Sequence, residues 1–490
     1  MTIVKQMSLF DIHELLEMES SSRFDAIFST FDLQPVLHLF SKKTMKGAPR
    51  ELNYGAMIQS LLARYIERIP TIKDLVKRLV RDPLFRLDCG FLVSDVVPSE
   101  ASYSRMIQLI SESDILDALQ DALIKTAITE GFLTDEHLAI DATHFESRDA
   151  PKASEKKEPA LPKKRGRKTK AEHEAWLAEQ AKQEAKKTTY EKEIKHQLHT
   201  SLETLWQDAP ICPDWGIKKN CDGKNIFWYG FKGHLAVSTK SQYIVASLMT
   251  AGNLSDSKAA IPLLKKADQL HHGQFTTGLF DAGYDYEPIY RQLHKLQMRA
   301  VIPYNIRNEG EFTGFDEHFR PTCVREHSYC YDSYDTKYKT LKFTRPKECE
   351  ACPLRHDSLC QKVFKIKCET DLRKFTYPAR GSETWKKLYK ERTAVERVNA
   401  YLKQYFQLNN VRHRTGKKAR LHFRIVTLIY NASKLAVDRL NAQLNGMKQS
   451  ACFKKNKKRQ RAKPAHLKKL IYEIDSSLRT ILKGSNLTHH

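Results

Sequence analysis

The sequence predicts a mixed chain of the α+β or α/β class, in which a helical front part precedes a strand-rich core. Two observations carry the prediction. Up to about residue 133 the apolar side chains recur at the spacing of amphipathic helices, whereas from residue 134 short apolar runs alternate with period two and are separated by helical stretches. A third observation divides the core. Residues 151–200 are rich in lysine and poor in apolar side chains, and residues 306–380 hold six of the ten cysteines, so both read as insertions.

A length of 490 residues supports two or three domains, and a hydrophobic fraction of 41% is ordinary for a globular protein. The formal net charge of +24 calls for a polyanionic partner, because lysines and arginines that displace counterions from phosphates supply sequence-independent affinity for nucleic acid. An anionic membrane would attract the same charge, but no apolar run approaches the length of a membrane span. The opening MTIVKQMSLFDIHELLEME carries acids where a secretory signal is uninterrupted and apolar, so the expected compartment is the cytosol, in association with the nucleoid.

In the front part, Met57, Ile58, Leu61, Leu62, Tyr65 and Ile66 mark a helix that stops at Ile69-Pro70. Ile72, Leu75, Val76, Leu79 and Val80 mark a second that stops at Asp82-Pro83. Ser99 is placed to cap a third through SEASYSRMIQLI. Short helices of this kind either simply pack together or form a helix-turn-helix module, and residues 1–133 are expected to be a helical DNA-binding region.

In HLAIDATHFES, Leu138 and Ile140 alternate with Ala139 and Asp141, the pattern of a short buried strand with Asp141 close to its end. The lysine-rich insertion contains KKRGRK, suited to nonspecific phosphate contact, and its later part reads as an exposed helix. A meander follows: NIFWYGF turns at Lys232-Gly233 into HLAVST, and YIVASLMTAG is a third strand. SDSKAAIPLLKKADQL is a helix capped by Ser255 or Asp256. TTGLFDAGYDYEPIYRQLHKL is a strand ending at Asp281, a glycine turn and a helix, and RAVIPYN is a fifth strand. Among the other acids, Asp256 reads as a cap, Asp285 as a turn residue, and Glu146 and Glu391 as solvated.

The stretch YKERTAVERVNAYLK, residues 389–403, reads as one helix. At 100° per residue, Tyr389, Arg392, Glu396 and Lys403 fall within an arc of roughly 60°, while Val395, Val398, Leu402 and Phe406 form a separate apolar side. Tyrosine, two residues, arginine, three residues, glutamate, six residues and lysine is a spacing that resembles the signature around the last acid of the insertion-sequence DDE transposases. The resemblance implies an RNase H-like catalytic core over residues 134–440, with Asp141, Asp281 and Glu396 as its carboxylates. Tyr389, Arg392 and Lys403 then hold the DNA end. Three oxygen-donor carboxylates suit two Mg²⁺ or Mn²⁺ ions. The partners implied are double-stranded DNA, both terminal inverted repeats and target, within a synaptic homodimer. The apolar helix in LHFRIVTLIYNASKLAVDRL is expected to close this core, and residues 441–490 to form a basic tail.

In a reducing compartment the cysteine cluster is better read as a metal site than as disulfides. Cys349 and Cys352 form a CxxC, followed by Cys360, and Cys323 completes four thiolates for a structural Zn²⁺; Cys330, Cys368 and His356 compete for the fourth place. Zinc would staple an insertion too small to bury its own core. Two other functions stay open: an inactive DNA-binding regulator derived from a transposase, and a metal-dependent nuclease that cuts without joining.

Overall fold

The computed structural model describes residues 22–41, 52–92, 94–151, 169–219, 222–307, 309–310, 312–357, 360–453, 468 and 471–472. KKRGRK and nearly all of the basic tail beyond residue 453 lie outside the described residues. In chain order the helices before the first strand are α1 (Ser22–Phe28), α2 (Gln34–His38), α3 (Tyr54–Ile66), α4 (Ile72–Arg81), α5 (Pro83–Asp88), α6 (Glu100–Ser111) and α7 (Ile115–Thr129). They are followed by β1 (His137–Glu146), α8 (Lys170–Lys186), α9 (Leu202–Gln207), β2 (Asp214–Lys219), β3 (Asn225–Ser238), β4 (Ile244–Ala251), α10 (Ser257–Leu270) and β5 (Thr277–Leu279). After these come α11 (Glu287–Lys295), β6 (Arg299–Val301), β7 (Cys330–Asp335), β8 (Thr340–Thr344), β9 (Val363–Lys367), α12 (Glu383–Lys390), α13 (Thr393–Tyr405) and α14 (Gly416–Phe453). The chain divides into two compact units, Met1–Thr134 with Val398–His490, and Asp135–Arg397.

In the first unit the expected helices are present, and their ends have local causes. Arg64, buried near the end of α3, donates from Nε to the Ile69 carbonyl (3.0 Å) and from Nη2 to the Pro70 carbonyl (2.9 Å), which holds the chain as it turns at the proline. Thr71 then caps α4 by accepting from the Asp74 N–H, and Ser99 caps α6 by accepting from the Ser102 N–H. The apolar helix α14 packs against α7, α1, α6 and α3. It was expected to close the catalytic core, yet it belongs with the front helices. The reason is its apolar surface: Leu421, Ile425, Leu428, Ile429 and Leu435 are all buried, and the long helix finds its partners among helices that each present one apolar face.

The second unit is built on a mixed sheet in the order β4-β3-β1-β5-β6, with β2 pairing the first part of β3. β3 runs antiparallel to β1, β2 and β4, while β1, β5 and β6 are mutually parallel. The turn expected at Lys232-Gly233 does not occur. Gly233 sits inside the ladder, opposite Thr143 on one side and Met249 on the other, and a turn there would leave buried peptide groups without partners. For the same reason Asp141 lies in the middle of β1 rather than near its end, since β3 keeps β1 paired as far as Glu146. β2 escaped the sequence reading because its outer residues Trp215 and Ile217 are exposed and Gly216 interrupts the pattern. A Cβ at Gly216 would run into the Trp228 ring, so that strand pairing needs glycine.

The lysine-rich insertion contributes α8, an exposed helix with a Thr169–Glu172 capping box and no buried residue, as expected of its later part. The cysteine-rich stretch carries its own antiparallel sheet, β7-β8-β9. Phe319, Tyr329, Leu341, Phe343, Phe375 and Ala379 are buried together beneath it. The expectation that this insertion buries no core is thereby corrected: the aromatic residues between the cysteines supply one.

Candidate active site

Asp141 lies in β1, and Asp281 follows the adjacent parallel strand β5, which was expected to run as far as Asp281 but ends at Leu279. In the parallel pair of β1 and β5, Leu138 stands opposite Gly278 and Ala139 opposite Leu279. Each acid lies two residues beyond the last of these rungs, Asp141 still within β1 and Asp281 past the end of β5. Asp281 opens a 3-10 turn, Ala282–Tyr284, and its Oδ1 accepts from the Ala282 N–H at 2.8 Å. Burial pushes the Asp141 carboxyl up to about 6; an N–H bond from Ala142 and the Arg392 charge oppose the rise, while Asp256 and Glu396 add to it.

Glu396 occupies the first turn of α13, where Arg392 Nη2 donates to its Oε1 at 2.6 Å. The guanidinium lies 5.5 Å from the Tyr389 ring centroid, and Tyr389 stacks on Trp385 with centroids 4.9 Å apart. Burial works against the Arg392 charge, yet Tyr389, Glu396, Asp141 and Asp281 together hold its pKa above the ordinary value. One arginine therefore reads the field of all three candidate carboxylates. The single helix expected over residues 389–403 is broken: α12 ends at Lys390, Arg392 lies in the turn, and α13 begins at Thr393. Lys403 follows in the same helix as Glu396, seven residues on.

The cause of that break is Glu391, which the sequence placed in solvent. Its Oε2 accepts from Thr239 Oγ1 at 2.9 Å and lies 2.7 Å from His137 Nδ1, so the turn is tied to the start of β1 and the end of β3. Through the tight turn the backbone bonds are of the three-residue kind, from Arg392 N–H to Tyr389 C=O and from Val395 N–H to Arg392 C=O. Asp285, read as a turn residue, is fully buried. Its Oδ1 accepts from Tyr290 Oη at 2.7 Å, and its Oδ2 accepts from the Asn305 N–H at 2.8 Å and from Arg373 Nη2 at 2.8 Å. Asp256 precedes α10 but makes no side-chain cap bond; Lys232 Nζ lies 2.9 Å from its Oδ1 instead. No local pattern announces these three partnerships, because each joins residues far apart in sequence.

The profile of the transposase DDE domain family matches residues 133–432, more than half of the chain, and spans Asp141, Asp281 and Glu396. The chain belongs to the DDE-domain transposases. A further transposase domain, DUF772, matches residues 11–109, in the helical front part. No individual curated protein matches the chain. Family membership implies the RNase H-like fold for the mixed sheet of this transposase and the use of divalent metal ions. No helix among the described residues is long and apolar enough to cross a membrane.

The residues of the DDE site fit divalent cations in their chemistry. They offer oxygen donors, a carboxyl at Asp141 whose charge burial disfavours, and two buried polar atoms without a hydrogen-bond partner, Tyr284 Oη and Arg392 Nε. Among the described residues, however, no group of three or more His, Cys, Asp or Glu side chains closes on a point where an ion would sit. The acids share one electrostatic cluster, and Glu396 is turned onto Arg392. The thiols show the same partial gathering. Cys323 Sγ accepts from the Arg325 N–H at 3.4 Å, Arg325 Nη1 reaches Cys352 Sγ at 3.9 Å, and Cys352 N–H donates to the Cys349 carbonyl at 3.4 Å. Burial raises the Cys349 thiol pKa, and Cys323, Cys360 and Cys352 raise it further.

Proposed function

We propose that this transposase is that of a bacterial insertion sequence: it binds the element's ends, cleaves the DNA strand there and joins the freed 3′-hydroxyl to target DNA. The observation that carries the reading is the match of the transposase DDE domain family to residues 133–432, and the bond from Arg392 to Glu396 supports it. Asp141, Asp281 and Glu396 would hold two Mg²⁺ or Mn²⁺ ions, which when bound polarise the attacked phosphodiester and stabilise the leaving oxygen. In each step a new P–O bond forms to water or to the 3′-hydroxyl, and the P–O3′ bond breaks in line. Arg392, stacked against Tyr389 and paired with Glu396, positions that carboxylate and offers its remaining donors to a phosphate oxygen. Tyr389 and Lys403 hold the DNA strand beside it, and the helical front part together with the +24 net charge supports binding of the terminal inverted repeats. A dimer that synapses two ends belongs to the same reading.

Incubating the full chain with Mg²⁺, a duplex bearing the terminal repeats and a supercoiled target is expected to yield both nicked ends and joined product. Cutting without joining would select the nuclease, and repeat binding with neither would select the regulator.

We also propose that Cys323, Cys349, Cys352 and Cys360 bind one structural Zn²⁺. The three thiols around Cys349 and the Arg325 link between Cys323 and Cys352 support this set, whereas Cys330 and Cys368 lie on β7 and after β9. Metal analysis of the purified chain is expected to find about one zinc per chain, lost in Cys349→Ser together with protease resistance of residues 306–380. A zinc-free wild type of normal stability would refute the set.

A further inference from the structure

Beside the three family carboxylates stands a fourth acid whose environment no helix cap explains. Asp256 sits at the N-cap position of α10 and makes no cap bond. Lys232, reaching over from β3 with its stem largely buried, places Nζ 2.9 Å from Asp256 Oδ1 and donates to the Leu254 carbonyl at 2.9 Å. The lysine ammonium is thereby held between the Leu254 carbonyl and the Asp256 carboxylate. Asp256 Oδ1 is buried, and its contact with Lys232 lacks hydrogen-bond alignment, so acceptor capacity remains.

A second observation points into the same place. Tyr284 closes the 3-10 turn that Asp281 opens, and this turn packs on α10. Tyr284 is only 2% exposed, and its hydroxyl has no hydrogen-bond partner. Burial raises its pKa well above the ordinary value, and the charges that raise it further are Asp256, Asp141 and Asp281, in that order. The hydroxyl is a buried, unpartnered donor in the turn that Asp281 opens. A buried donor left unpaired costs about 1–3 kcal/mol. Such a group is retained where it bonds to something that enters the site, and hydrated Mg²⁺ keeps several of its waters, which need acceptors and ordered neighbours.

We propose that Asp256 and Tyr284 form the outer shell of the divalent-cation site: Asp256, anchored by Lys232, accepts from water carried by the cation, and the Tyr284 hydroxyl donates to a carboxylate and orients it. Both are positioning residues, acting through Asp141 and Asp281 rather than on the DNA. The inference rests on the metal-dependent reading of the site. It adds Asp256, Lys232 and Tyr284 to the residues on which cation affinity depends.

The test is titration calorimetry of the full chain with Mn²⁺ alone, which needs no DNA and no turnover. Asp256→Asn and Tyr284→Phe change only a charge or a hydroxyl, and each is expected to weaken Mn²⁺ binding about tenfold or more, the usual cost of losing an outer-shell partner. Asp256→Glu, which keeps the carboxylate, is expected to stay within about threefold of the wild type. Tyr284→Phe, which removes an unpaired buried donor, and Asp256→Glu are each expected to melt no lower than the wild type. In the cleavage assay, the Mn²⁺ concentration for half-maximal rate is expected to rise while the rate at saturating Mn²⁺ changes little. Wild-type-like Mn²⁺ affinity in both Asp256→Asn and Tyr284→Phe would overturn the inference while leaving the metal reading intact. Absence of Mn²⁺ binding by the wild type would instead remove the reading beneath it.

Discussion

Asp281→Asn and Glu396→Gln are each expected to lower cleavage of end-containing DNA by at least about a thousandfold, a loss of about 4 kcal/mol of transition-state stabilisation. Both changes keep the shape of the side chain and remove its charge. Asp281 follows the strand that pairs with β1, and its charge and that of Asp141 both act on Arg392, so its replacement removes one of the acids around this arginine. Glu396→Gln acts twice, because it removes a carboxylate and also releases Arg392, which is bonded to Oε1 at 2.6 Å. DNA binding, carried by many cations spread over the chain, is expected to persist in both variants. A gel assay of cleavage beside a binding assay on the same duplex separates the two effects. Undiminished cutting by either variant would dismiss these carboxylates as the catalytic set.

Arg373→Ala is expected to cost the sheet unit about 3–5 kcal/mol, the penalty for stranding a buried charge. Asp285 is fully buried, and Arg373 donates to its Oδ2 from both Nε (3.0 Å) and Nη2 (2.8 Å), while Nη2 also donates to the Asn305 carbonyl. Arg373 is further paired with Glu309. Tyr290 Oη and the Asn305 N–H bond to Asp285 as well, but neither carries charge, so the carboxylate would be left without its cation. The damage would not stay local. Asp285 lies four residues after Asp281, at the end of the 3-10 turn that begins there, and loosening it is expected to misplace the second catalytic acid. Denaturant unfolding measures the first effect and end cleavage the second. Removing both partners in Asp285→Leu/Arg373→Met is expected to restore much of the lost stability, since no charge is then buried. A single-variant loss below about 1 kcal/mol would show that the pair holds nothing in place.

Part of the fold around the candidate acids was legible before any coordinates, for reasons that can be named. The alternation in HLAIDATHFES is a record of which side chains face a core, and it placed Asp141 on a strand, whereas the strand expected to end at Asp281 stops at Leu279. The Tyr-Arg-Glu-Lys spacing named the third carboxylate and its basic neighbours. The same periodicity failed at Lys232-Gly233, where a turn-like dipeptide lies inside a strand because β1 and β4 flank it on both sides. It failed again at residues 389–403, where helical spacing continues through a turn that Glu391 pins to the sheet.

By itself, then, the sequence determined the class of the chain, its cationic character and its likeness to the DDE transposases, and it named three candidate acids. Only the tertiary structure decided that Glu391 and Asp285 are anchors rather than solvated side chains, that Asp256 joins the carboxylate cluster, that the cysteine-rich segment buries its own aromatic core, and that α14 belongs with the front helices. The physical reason is common to all of them. Local pattern reports the face on which a residue lies, because that depends on neighbours three or four positions away. The partner that a buried charge or apolar helix meets comes from another part of the chain, and only folding chooses it.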